Sequence, residues 1–194
     1  MPARDGVSFP LGASASSPAR AAVDRVVKAI DRVSTLAGWL AGWLIVPMTL
    51  AVAYEVAARY AFNAPTTWSY DVTYMLYGAQ FMLAAAYTLL KGGHIRTDVF
   101  YERWSAKTRA MIDVVAYVLF FFPGMLFILY AGAVEAWQAW KIAERAASWK
   151  LGTGAWPIPL YPLKAVIPLT AALLLLQGLS ELIKCARVIR GGHR

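Results

Sequence analysis

Glu55 and Arg59 stand four residues apart, Asp71 follows after a short turn, and His94, Arg96 and Asp98 sit together further on. These compact groups of acid, base and imidazole are where proton transfer or a charge-paired contact would be sought. Metal and nucleophilic chemistry find little footing. The two histidines are His94 and His193, no set of His, Cys and acids has ligand spacing, and no glycine-rich phosphate loop occurs. Cys185 is the single cysteine, so no disulfide forms within the chain. No enzyme activity, cofactor or metal is expected.

The elements that must carry these groups are apolar and long. Hydrophobic residues make up 59% of the chain and charged residues 15%, with a mean hydropathy of +0.50. Soluble domains carry about 25% charged residues. Four apolar stretches run roughly Leu36–Ala58, Val72–Leu90, Val114–Val134 and Trp156–Ser180. Each is about 20 residues, long enough as a helix to cross a hydrocarbon core of about 30 Å. Lipid offers backbone groups no partner, which favours helices there. The expectation is an all-α integral membrane protein with four crossings at about 36–60, 69–91, 109–134 and 156–184. Residues 1–20 read as a disordered tail, 21–35 as an amphipathic helix, 36–187 as the membrane domain and 188–194 as a C-terminal tail.

The net charge of +8 does not imply nucleic acid, because the basic residues flank the spans. Five positive residues precede the first span, Arg59 alone follows it, five lie between spans two and three, three lie between three and four, and four close the chain. The alternation places both termini and the central loop in the cytoplasm. Within 21–35, Val23, Val26, Val27, Ile30 and Val33 share one helical face, the pattern of a basic helix at the lipid interface or against a partner. Pro47 and the Pro123-Gly124 pair predict bends. Thr66 or Thr67, Asp98 and Ser105 are candidate helix caps, and Gly92-Gly93 a helix stop. An interfacial helix is expected around Glu135–Ser148.

In this setting the i,i+4 spacing of Glu55 and Arg59 reads first as an ion pair that neutralises both groups. A proton-coupling carboxylate, as in small four-helix exporters, and a contact between subunits remain open. Gln80, central in span two, reads as a helix–helix contact, and Lys164 as a snorkelling side chain.

Two motifs carry a resemblance. Glu55-x-x-x-Arg59-Tyr60-x-Phe62-Asn63-x-Pro65-x-x-Trp68-x-x-Asp71 resembles the first hairpin of the small permease subunit of TRAP (tripartite ATP-independent periplasmic) transporters, the DctQ-like subunit. Lys91-Gly-Gly-His94-Ile95-Arg96-Thr97-Asp98 resembles that family's central-loop signature. Asp71 stands where many members carry Glu. The segments Phe120–Met125 and Pro159–Lys164 are similar to the mannitol/chloroaromatic branch. The resemblance implies a non-catalytic, multi-pass subunit of a bacterial inner membrane. Its implied partners are a large sodium-coupled permease, a periplasmic substrate-binding protein and the membrane lipids. The solute would be an organic acid or similar compound. The resemblance also implies structural or interface roles for Glu55, Arg59, Tyr60, Asn63, Pro65, Trp68, Asp71, His94, Arg96 and Asp98. A self-sufficient four-helix transporter or channel is the alternative.

Overall fold

The computed structural model describes residues 18–66, 68–92, 105–143 and 159–191. Its elements are all helical: α1 (Pro18–Trp43), α2 (Ile45–Phe62), α3 (Trp68–Leu90), α4 (Ala106–Ala116), a π-helical turn (Tyr117–Phe121), α5 (Phe122–Lys141) and α6 (Tyr161–Gly191). No strand occurs among the described residues.

α1 and α2 form one rod. The helix runs 42 residues from Ala21 to Phe62. At about 1.5 Å per residue it measures about 63 Å, roughly twice a hydrocarbon core. The amphipathic segment and the first span, expected as separate helices, are therefore continuous. The ladder is disturbed only near Leu44, because Pro47 has no N–H for the Trp43 carbonyl. Leu44 N–H is shared by the Leu40 and Ala41 carbonyls at 3.2 Å each, and Met48 N–H reaches the Leu44 carbonyl at 3.3 Å.

The turns that follow obey local chemistry. Asn63 takes the left-handed conformation (φ 47°) that ends α2, and its N–H and that of Ala64 both reach the Ala58 carbonyl. Gly92 (φ +66°) stops α3, as the glycine pair predicted. Ser105 caps α4, its Oγ accepting the Thr108 N–H at 3.2 Å. The bend expected at Pro123 takes the form of the π turn, in which Phe122 N–H reaches back five residues to the Tyr117 carbonyl. Widening the turn ahead of Pro123 lets the chain pass a ring that would otherwise meet the Leu119 carbonyl. Together α4, the π turn and α5 make a second long rod, 35 residues from Lys107 to Lys141.

α6 is the hub. The α4–α5 rod packs on it antiparallel, α3 packs on it, and α1 lies along its C-terminal half. α3 in turn packs on both α1 and α2. Close approach depends on residues without side chains. A Cβ on Gly38 would fall 2.5 Å from Cβ of Tyr87, and one on Gly178 would run into the Phe121 ring. A Cβ on Gly132 would meet Ile167 at 2.8 Å.

Among the described residues three helices are long and apolar enough to cross a membrane: Ala21–Phe62, Lys107–Lys141 and Tyr161–Ile189. α3, expected as a crossing, is not one of them. Asp71, Gln80 and four tyrosines lower its hydropathy. Residues 144–158, which hold most of the expected third-loop features, lie outside the described residues, as do the N-terminal tail to 17 and the loop 93–104.

Because Cβ of Tyr87 is fixed to its backbone, α1 and α3 must separate to admit a methyl at position 38. Gly38→Ala should destabilise the protein by about 1–3 kcal/mol. Gly42→Ala, where a Cβ meets nothing within 4 Å, should be neutral or slightly stabilising. Thermal unfolding in detergent distinguishes the two.

Candidate functional site

The α2–α3 hairpin gathers the first motif. Glu55 Oε1 accepts from Arg59 Nε at 3.0 Å and from its terminal nitrogen at 2.5 Å. Glu55 Oε2 accepts the Thr66 N–H at 2.9 Å and also the Thr66 hydroxyl. Both carboxylate oxygens are thus engaged, one holding its own helix and the other holding the turn. Thr66, a candidate cap for α3, directs its hydroxyl to Glu55 instead, and Thr67 lies outside the described residues. Ser69 Oγ donates to the Ala51 carbonyl at 2.9 Å, and the Trp68 ring packs on Tyr54 with centroids 5.6 Å apart. Asp71 is buried in the first turn of α3, where the helix dipole favours a carboxylate. Tyr60 in the last turn of α2, and Asn63 and Pro65 on the turn, are exposed. His94, Arg96 and Asp98 lie outside the described residues.

Lys164, expected to snorkel, meets Glu135 across α5 and α6 at 3.5 Å. The Trp140 and Tyr161 rings close the same end edge to face, 4.6 Å apart. Gln80 Oε1 is buried with no hydrogen-bond partner.

At the opposite end stands a polar junction that the motif reading did not single out. Gln177 of α6 is fully buried. Its Oε1 accepts from Ser34 Oγ of α1 at 2.6 Å, and its Nε2 donates to Asp31 and Glu181, each at 3.1 Å. Asp31 Oδ1 also accepts from Ser180 Oγ at 2.8 Å, and Lys184 Nζ lies 3.0 Å from Asp31 Oδ2 and 2.7 Å from Glu181. One level further out, Arg187 pairs with Asp24 at 2.6 Å. The signal was present in sequence. Gln177, Ser180, Lys184 and Arg187 recur at helical spacing on the end of an apolar helix, and Asp24, Asp31 and Ser34 do the same on α1.

The α4–α5 rod shows the reverse pattern. Phe120, Phe127, Tyr130 and Trp137 follow helical spacing down one side and are 62–76% exposed. None of its most apolar window is buried. A cleft of about 500 Å³, lined by Leu89, Tyr117, Phe121 and Leu174 among others, separates this rod from the end of α3. A wide apolar face, a pinned hairpin and a hub helix are the means of holding a shape and presenting it to lipid or to another membrane protein. Among the described residues no cluster of His, Cys, Asp and Glu has the makings of a metal site.

A family model for the tripartite ATP-independent periplasmic transporters, DctQ component, matches residues 48–188. The chain belongs to this family. It is therefore the small membrane component of a TRAP transporter, a transport family and not a known enzyme family. No curated protein and no solved structure matches. The matched region covers the hairpin, α3, the α4–α5 rod and nearly all of α6. It omits α1, so the polar junction joins a family element to a segment outside the match.

Removing Asp31 would leave Gln177, Ser180 and Lys184 without their shared acceptor. Asp31→Ala should cost this TRAP component about 1–3 kcal/mol of stability. Lys107→Ala, on an exposed position of the α4–α5 rod, should stay within about 0.5 kcal/mol. Thermal unfolding in detergent, read by circular dichroism, checks both.

Proposed function

We propose that this chain is the fixed, non-transporting membrane part of a sodium-coupled TRAP uptake system in a bacterial inner membrane. A large permease bound to it carries the sodium sites and the moving elements, and a periplasmic binding protein delivers an organic acid or similar solute. The observation that carries this reading is the family match over 48–188, joined to the outward apolar side of the α4–α5 rod. A rod that meets its own bundle mainly through one helix leaves most of its circumference for a partner.

In this reading α3 is a fourth crossing. Its 23 residues reach about 35 Å, and packing on α1, α2 and α6 accompanies the burial of Asp71 and of the Gln80 side-chain oxygen. Both termini lie in the cytoplasm, in keeping with the basic residues gathered at the end that carries Asp31 and Lys184. Glu55, Arg59 and Asp71 hold the periplasmic hairpin in shape, with Tyr60, Asn63, Pro65 and Trp68 at its surface. His94, Arg96 and Asp98 order the cytoplasmic loop. The likeness of Phe120–Met125 and Pro159–Lys164 to the mannitol/chloroaromatic branch is a family placement and does not name the solute.

The test is recovery of the large permease with the tagged chain. Phe120→Ala combined with Phe127→Ala should lower that recovery about tenfold or more, as for buried aromatic anchors worth about 1–2 kcal/mol. Accumulation of solute by the chain alone in liposomes would overturn the proposal.

A further inference from the structure

A groove of about 520 Å³ runs along the outward side of α1. Trp39 and Trp43 form one wall, packed edge to face with centroids 5.6 Å apart. Tyr87 of α3 forms the other wall, Thr35 and Val46 mark its ends, and Gly42 leaves its floor open. From Thr35 to Val46 the helix rises about 16 Å, the depth of one leaflet of a core about 30 Å thick.

The same face continues into charge. Positions 28, 32, 35, 39, 42 and 46 alternate in steps of four and three, so Lys28 and Arg32 stand directly beyond the groove. Both are exposed and make no ion pair among the described residues. Lys91 sits over the Tyr87 ring, its Nζ 5.5 Å from the centroid, at the same end. The acids of α1 do not offset these cations, because Asp24 and Asp31 are turned to Arg187 and Lys184 of α6. A single helical stripe therefore passes from positive to apolar over the length at which a phospholipid passes from phosphate to acyl chain. Trp39 lies just inside the change, where indole rings prefer to sit, and Trp43 one turn deeper.

We propose that this groove binds an anionic phospholipid, with Lys28, Arg32 and Lys91 on the headgroup and Trp39, Trp43 and Tyr87 along an acyl chain. The charge complementarity selects an anionic lipid over a zwitterionic one, since three cations face the headgroup with no competing free acid on the stripe. The site is built mostly from α1, outside the matched region 48–188. It does not depend on which solute the transporter carries.

The full chain, purified with its permease into micelles containing equal phosphatidylglycerol and phosphatidylcholine, can be examined by native mass spectrometry. The wild-type protein should retain phosphatidylglycerol preferentially. Lys28→Gln with Arg32→Gln should lower that retention about twenty-five-fold, roughly fivefold per removed charge. Lys107→Gln, on the other rod at the same end, should leave it unchanged. Gly42→Leu, which fills the open floor, should abolish the preference with no loss of thermal stability. Equal retention of the two lipids, or an equal effect of Lys107→Gln, would overturn the proposal. So would a photocrosslinker at position 43 (Trp43→p-benzoylphenylalanine) that captures the permease in place of lipid.

Discussion

Asp31 accepts hydrogen bonds from three side chains of α6, Gln177, Ser180 and Lys184, spread over two helical turns. The rest of the molecule is arranged around that junction. Inside an apolar bundle such bonds face little competition from water, and a half-satisfied network would be costly. Here Gln177 uses its oxygen and both amide hydrogens, so its buried carboxamide is satisfied within the protein. It sets α1 against α6 in one register, since sliding by a turn would strand Gln177 and Asp31 together. With α1 held there, Gly38 meets Tyr87 and α3 is clamped between α1 and α6.

The junction also sorts charge. The carboxylates of Asp24 and Asp31 pair with arginine and lysine on α6, and Arg25, Lys28 and Arg32 remain exposed. A helix that reads in sequence as mixed in charge therefore presents a positive stripe to its surroundings. The opposite end solves a different problem with a short-range device. Glu55 ties a helix to the turn eleven residues later, using one carboxylate oxygen for Arg59 and one for Thr66. One end is fixed by contacts between distant segments, the other by contacts within a hairpin.

Between the two ends α6 carries most of the packing. α1, α3 and α6 pack on one another and α2 packs on α3, while the α4–α5 rod leans on α6 through Gly132 and Gly178 and exposes most of its aromatic surface. The π turn before Pro123 brings Phe121 over Gly178. The backbone irregularity thus coincides with a place where the rod is anchored on α6.

Sequence alone determined what depends on near neighbours and on totals. Hydropathy implied an all-helical chain in lipid, and the glycine stop at Gly92, the cap at Ser105 and the i,i+4 pair of Glu55 and Arg59 followed from spacing within one or two turns. The family likeness rode on the same short motifs. What only the tertiary structure decided lies between segments far apart in the chain. Asp31 finds Gln177 across 146 residues and Lys184 across 153. The merging of the amphipathic segment with the first span and the open side of the α4–α5 rod were likewise set by packing. Periodicity shows that a helix has a polar stripe, but the partner of that stripe is fixed by how whole rods dock. In an apolar bundle that docking is governed by where small residues allow approach and where polar atoms must be satisfied, both properties of pairs of helices.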